Sequence, residues 1–263
     1  MKLSNISEIK NLLIMVAMDV EEEALVQSAN FTEKHYGRHI KIKTKQFSVN
    51  KCRIIVVNSG VGSVNAALVL SHLHEHIFID AVLALGVGGA LCPDLDVGDT
   101  VIATKIIQHD SVASTESGNK LIAAGELTLS VPEHRQTDPI IHCDPFLVDW
   151  LKLSFEKRSG MGNYRTGTIL SGSEFVATVQ RKKELAALCS HALLVEMEAA
   201  GIAQISRKYA IPFAIAKTVA DRAQPKGSVS NDYRTFLSAA ADHSAIIFES
   251  LLNSKDISYE IGF

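Results

Sequence analysis

Short apolar runs alternate with stretches of helical composition along most of the chain. Residues 11–18 form a continuous apolar run, read as a buried strand. Acids follow, and Ala24-Leu25-Val26 then reads as the first turn of a helix. Residues 39–47 alternate Ile and Lys, the pattern of a half-exposed strand. Residues 52–57 are a second buried run, ending in Ser59-Gly60-Val61-Gly62 and leading into a predicted helix over 64–73. Residues 80–85 are a further run, closed by Gly86-Val87-Gly88-Gly89 as a turn. More strands are predicted at 97–107, 165–170, 193–195 and 213–219, and helices at 145–155, 181–188, 199–209 and 232–252. Residues 111–138 lose periodicity and read as a long loop, a length that in compact domains tends to carry function.

Buried runs alternating with helices predict an α/β fold with a largely parallel sheet covered on both faces. The length of 263 residues suits one domain, with its core over about 12–252. In such sheets ligands sit outside the carboxyl ends of the strands, which directs attention to the loops there.

Composition narrows the chemistry. Hydrophobic residues make up 47% and the net charge is −3, so neither disorder nor a phosphate-backbone binder is indicated. The basic clusters 41–45 and 181–183 read as solvated faces. The four cysteines are scattered with no CxxC pair, which supports neither a zinc site nor a disulfide framework and fits a reducing cytoplasm. The run 12–18 is too short for a signal segment or a membrane span. His72, His74 and His76 read as surface histidines, because no third ligand accompanies the His72/His76 face.

Acids at strand ends carry the strongest signal. Glu196 and Glu198 lie in an otherwise almost wholly apolar stretch, and at i and i+2 on a strand end both can face one side. Unpaired and buried, each would be costly. The alternative is a strand emerging into solvent. Asp221 directly follows the apolar run 213–220, at a position that suits catalysis and a helix cap equally well. Asp19, Glu21, Glu22 and Glu23 cluster after the first strand. Acids there oppose a helix dipole, which accounts for most of them and leaves one to face the cleft. Gly60-Val61-Gly62 fails as a dinucleotide fingerprint because Asn65 occupies the third glycine position.

Together these loops resemble the nucleoside phosphorylase superfamily, and within it the 5′-methylthioadenosine/S-adenosylhomocysteine nucleosidases. The matching segments are Ala17–Glu23, Ser59–Ala67, Gly86–Ala90, Val97-Gly98-Asp99, His109-Asp110, Ser171–Phe175, Val195–Ala199 and Ala220-Asp221-Arg222. The resemblance implies a three-layer α/β/α sandwich with a mixed, largely parallel sheet. It also implies roles. Glu21 would activate water, and Asp221 would act as the acid at purine N7. Glu198 would bind the ribose hydroxyls, with Glu196 near it and Met197 against the sugar. Phe175 would stack on the base and the Val176 backbone would read its edge. Met18 and Val61 would line the sugar and its 5′ side, and the Gly89 backbone would approach the ligand. No cofactor or metal is implied. A cytoplasmic homodimer acting in methionine salvage is.

The chemistry fits these residue types. Adenine leaves poorly as an anion, so N7 must gain a proton from a carboxyl. Carboxylates stabilise an oxocarbenium-like ribose, and water attacks with help from a base, as in inverting glycoside hydrolysis. Phosphorolysis needs a cationic pocket, yet Ala84 and Val87 stand where phosphorylases place an arginine and a hydroxyl. Relative to the nucleosidases, Val87 and Ala220 replace serines, Lys217 replaces an arginine, and residues 111–138 depart from the loop that shapes the 5′ pocket. Alternatives are therefore a futalosine-type nucleosidase, a purine nucleoside phosphorylase, and a non-catalytic nucleoside sensor.

Overall fold

The computed structural model describes residues 3, 6–27, 29–49, 51–116, 118–124, 138–156, 163–222 and 245–249. Twelve strands and five α-helices occur in this order: β1 (Asn11–Val16), α1 (Asp19–Val26), β2 (Thr32–Tyr36), β3 (Ile42–Val49), β4 (Cys52–Asn58), α2 (Ser63–His76), β5 (Ala81–Ala90), β6 (Thr100–Gln108), β7 (Val112–Thr115), β8 (Gly118–Leu121), β9 (Ile140–His142), α3 (Pro145–Glu156), β10 (Tyr164–Ser171), α4 (Val179–Leu188), β11 (Ala192–Glu196), α5 (Ala199–Tyr209) and β12 (Phe213–Arg222). Residues 245–249 are also helical. The rest of the expected 232–252 helix lies outside the described residues.

The architecture is the expected α/β sandwich with a mixed sheet. Ten strands follow the order β11-β10-β6-β12-β5-β1-β4-β3-β2, with β9 on β6. Parallel pairs β4–β1, β1–β5 and β5–β12 form the centre, and β6–β10–β11 are parallel as well. Their side chains are almost wholly buried, including Leu13, Ile14, Val56, Leu83 and Ile215. Burial on both faces is why these strands read as unbroken apolar runs.

Three expectations change. First, β5 does not stop at Leu85 but runs through the glycines to Ala90. It thereby reaches β11, pairing Val195 with Gly89 and Leu194 with Ala90. β11 also pairs with β10, so the strands β5-β12-β6-β10-β11 close into a ring. Gly88 makes this possible, since a Cβ there would lie 2.4 Å from Leu194 and 2.9 Å from the Val195 carbonyl. Second, the stretch 111–138 is not all loop. Its described part contains the hairpin β7–β8, and residues 125–137 lie outside the description. Third, β2 is an exposed strand without an apolar face, and the period-2 pattern could not reveal it.

Helix α5 packs on α2. At Gly201 a Cβ would lie 2.1 Å from the Ser63 carbonyl, at the start of α2. Helix propensity alone favours Ala over Gly by about 1 kcal/mol. Backbone contact reverses that sign, so Gly201→Ala should destabilise the fold by about 1–3 kcal/mol. Thermal denaturation checks this, and an unchanged or raised Tm would contradict the packing.

Candidate active site

The carboxyl ends of β1, β5, β11 and β12 meet around one pocket. Its wall includes Met18, Glu21, Val61, Val87 and Gly89, the segment Glu174-Phe175-Val176, the segment Glu196-Met197-Glu198, and Asp221. Every residue expected at the site therefore lines the same cavity.

Glu21 is the acid of the first cluster that turns inward. It sits at the third position of α1, and its Oε2 accepts hydrogen bonds from Ala17 N at 2.9 Å and Met18 N at 3.1 Å. Its Oε1 accepts from Val87 N at 3.1 Å. Both earlier readings thus hold for one side chain, which caps the helix and faces the pocket. Glu22 instead reaches Lys45, 3.7 Å away. Asp19 accepts from Asn58, and Glu23 is exposed. Burial pushes the Glu21 carboxyl up, Lys217 and the Ala17 and Met18 amides pull it down, and Glu198 adds to the rise. The net shift is upward.

Glu196 and Glu198 do face one side. Lys217 from β12, 2% exposed, stands between them. Its Nζ donates to Glu198 Oε2 at 3.0 Å and lies 3.2 Å from Glu196 Oε2. Glu196 also caps α5, accepting from Glu198 N at 3.0 Å and from Ala199 N. Burial raises the Glu196 carboxyl, and repulsion from Glu198 adds to the rise, against the pull of Lys217 and a hydrogen bond with Ser171. Burial acts upward on Glu198 too, but Lys217 and the Gly62 amide outweigh it and hold that carboxyl below its ordinary range. The Gly62 amide donates to Glu198 Oε1 at 2.9 Å. Gly62 has φ +104°, a conformation that glycine adopts without strain, and this turn aims its N–H at the acid. The Gly60–Gly62 turn therefore serves a carboxylate, not a dinucleotide phosphate.

Asp221 is aimed by an irregularity. The β12–β5 register shifts between Val219 and Asp221, so Asp221 lies opposite Gly89. Bulges re-aim side chains in this way. Asp221 Oδ2 lies 3.1 Å from Lys182 Nζ. Here the sequence reading needs correction, because residues 181–183 are not simply a solvated face. Lys182 is 4% exposed and belongs to the inward side of α4 with Leu185. Arg181 pairs with Glu174, donating from Nε and Nη2 at 2.9 Å, and so braces the segment that carries Phe175. The i, i+3 spacing of Lys182 and Leu185 was the available signal.

The His109-Asp110 segment supports the site from outside the pocket. Asp110 Oδ2 accepts from Ser173 N at 2.7 Å, fixing the loop after β10. The buried His109 ring packs under Gly172, and burial lowers its hold on a proton. The His72 and His76 rings lie with centroids 4.4 Å apart and planes tilted by 37°, while His74 packs on Phe78 and Tyr209. Among the described residues no group of three or more His, Cys, Asp or Glu could hold a metal ion.

Five acids and no lysine or arginine line the pocket among the described residues. Lys217 lies behind the wall, bound to its carboxylates. Val87, Ala220 and Met18 form a small apolar cluster on one side. Such a cavity suits a ligand that develops positive charge and carries apolar and hydroxyl groups.

The fold and this site define the class, and the chain belongs to the phosphorylase superfamily, whose family model matches residues 11–253. Within it, the chain is similar to the 5′-methylthioadenosine/S-adenosylhomocysteine nucleosidase of Staphylococcus haemolyticus, 28% identical over 233 residues that cover 89% of this chain and 96% of the relative. The structure is similar to that of the nucleosidase of the same name from Neisseria meningitidis in complex with methylthio-immucillin-A. The TM-score is 0.78 and the identity 27%, covering 94% of this chain and all of the other. A futalosine hydrolase from Helicobacter pylori shares the fold, with a TM-score of 0.76 at 23% identity, covering 93% of this chain and 97% of the other.

Proposed function

We propose that the protein is a hydrolase that cleaves the N-glycosidic bond of 5′-modified adenine nucleosides, releasing adenine. Its substrates are 5′-methylthioadenosine, S-adenosylhomocysteine and 5′-deoxyadenosine. The observation that carries this reading is the pocket wall, which among the described residues holds five acids and no lysine or arginine. A phosphate nucleophile would meet carboxylates there and no donor fork. Water needs only a base.

The shared pocket and the resemblance to the nucleosidases support a role for each residue. Glu21, held by three backbone amides, takes a proton from the attacking water. Glu198 stays ionised beside Lys217, accepts the ribose hydroxyls and stabilises the developing cation. Glu196 holds the start of α5 and so keeps Glu198 in position. Met197 packs on the sugar. Phe175 stacks on the base, while the Val176 and Gly89 backbones approach its edge. Asp221 delivers the proton to N7. Met18 and Val61 take the apolar 5′ side. Similarity to nucleosidases named for methylthioadenosine supports the substrate class.

A cytoplasmic homodimer acting in methionine salvage belongs to the same reading. All four cysteines are free thiols, which suits a reducing compartment. Val61, Val64 and Leu68 form an exposed apolar patch beside the pocket, suited to a second copy of the chain.

The test is base release from methylthioadenosine, S-adenosylhomocysteine, 5′-deoxyadenosine and a futalosine-type nucleoside, followed by liquid chromatography. Adenine from the first three supports the reading. Release only from the futalosine-type nucleoside changes the substrate class, and tight binding without turnover makes the protein a sensor.

Glu21 also sets a pH dependence. Its carboxyl is raised above 4.5 in the folded protein, so the base form is lost as pH falls through that higher value. The kcat/KM profile should drop on the acid side with a midpoint above 4.5, and Glu21→Gln should abolish turnover across the range. A flat profile down to pH 4.5, with the fold intact by circular dichroism, would remove Glu21 from this role.

A further inference from the structure

The ion pair between Lys182 and Asp221 is not used by the chemistry above. Asp221 faces the pocket from β12, and Lys182 approaches it from α4 on the other side. The Lys182 ammonium lies 3.1 Å from Asp221 Oδ2 and 3.4 Å from the Asp221 carbonyl oxygen. Room for it is built in. Gly89 stands beside it, and a Cβ there would come within 3.2 Å of Nζ and 3.4 Å of Cε. A buried ammonium is costly unless it is paired, so this side chain is not incidental filling.

A second cavity lies behind the pair. It is lined by Lys182, Lys183 and Arg222 together with Leu91, Cys92 and Leu95, and it opens to solvent. Asp221 borders the substrate pocket but not this cavity, whereas Lys182 borders this cavity but not the pocket. The pair therefore bridges the wall between a pocket that a nucleoside would close and a compartment that water reaches.

We propose that Lys182 is a positioning and proton-relay residue, which passes a proton from the solvent-open cavity through Asp221 to N7 of the leaving purine. This rests on the reading of Asp221 as the group that protonates the base. The Lys182 ammonium first passes a proton to the Asp221 carboxylate and becomes a neutral amine. As the C1′–N9 bond breaks, its electron pair goes to N9 and N7 takes that proton, which returns Asp221 to a carboxylate. The water oxygen bonds to C1′ and its proton goes to Glu21. Solvent then recharges Lys182 through the rear cavity, and Glu21 releases its proton. Burial weakens the hold of Lys182 on its proton, against the opposing pull of Asp221, which suits a group that must give one up.

Two variants and two substrates test the relay. Methylthioadenosine needs a proton on its leaving group, whereas 4-nitrophenyl β-D-ribofuranoside leaves as a stable phenolate and needs none. Lys182→Met should lower kcat for methylthioadenosine about 10–100-fold with KM little changed, while the nitrophenyl riboside keeps at least about half its rate. Lys182→Arg retains the charge but cannot release a proton, so it should show the same split. If the Met variant does not fold, the Arg variant alone decides. Equal losses on both substrates, near-normal turnover of methylthioadenosine, or full rescue by arginine would each overturn the relay. Wild-type protein that releases no base overturns the nucleosidase reading and the relay with it, whereas failure of the relay alone leaves wild-type turnover intact.

Discussion

Asp221→Asn should lower the rate of adenine release by about 10²–10⁴ while leaving nucleoside binding largely intact. Asparagine keeps the shape and can still hydrogen-bond the base edge. It cannot transfer a proton to N7, so the loss falls on kcat and not on KM. The site geometry makes this specific to Asp221. The register shift in β12 turns this residue toward the pocket opposite Gly89, whereas Glu174, the acid beside Val176 in the wall, is held by Arg181. Steady-state kinetics with chromatographic detection of adenine would give the split. Turnover near the wild-type value would mean that protonation of the base is not Asp221's task.

Lys217→Met should be the most destabilising single change at the site. Lys217 is fully enclosed and is the cation that Glu21, Glu196 and Glu198 share. Removing one partner from a buried ionic cluster costs about 3–5 kcal/mol, because the remaining charges are left without compensation. The pH dependence has a definite sign. Burial alone would lower the Lys217 pKa, but the three carboxylates raise it well above its ordinary value. Its contribution is therefore fully present below the unfolded lysine pKa and is lost only at strongly alkaline pH. Glu198 is shifted downward, so its share is present above the ordinary glutamate range and is lost as pH falls through its lower folded value. Between those limits the Lys217–Glu198 pair is intact, while Glu21 and Glu196, both shifted upward, are the first of the cluster to take a proton as pH falls. In the variant, acidification protonates the stranded carboxyls, Glu21 and Glu196 before Glu198. The Tm deficit should be large at pH 8 and should shrink toward pH 5. A deficit that is small, or that grows on acidification, would contradict the cluster.

Much of this architecture was legible in the chain, for a physical reason. Strands β1, β4, β5 and β12 are buried on both faces, so their apolar runs had no competing explanation. The same burial made Glu196, Glu198 and Asp221 conspicuous, as charges set at the ends of dry strands. What was not legible depends on contacts between distant segments. The apolar pattern of β5 ends at Leu85, and pairing with distant residues, Lys217–Arg222 of β12 and Leu194–Val195 of β11, is what carries Gly86–Ala90 on as a strand. Among four adjacent acids, hydrogen bonds from Ala17, Met18 and Val87 select Glu21, and the last of these lies on another strand. Lys182 looked like part of a basic surface cluster because both its neighbours are charged. Its burial follows from Asp221, 39 residues away in sequence. Strand β2 carried no pattern because only Tyr36, its last residue, packs against the core.

The substitutions Val87 and Ala220 have a structural consequence as well. They meet Met18 in one apolar cluster, which among the described residues leaves that side of the pocket without hydroxyl donors. An apolar wall beside carboxylates makes an anionic nucleophile a poor guest and leaves water as the acceptor.

The most direct test of that claim is the requirement for phosphate. Purified protein is incubated with 5′-methylthioadenosine in phosphate-free buffer, and adenine and the sugar product are measured with and without added phosphate. The account predicts adenine release at the same rate in both, with free 5-methylthioribose as the sugar product. Release that depends on phosphate, with the sugar recovered as its 1-phosphate, would contradict it.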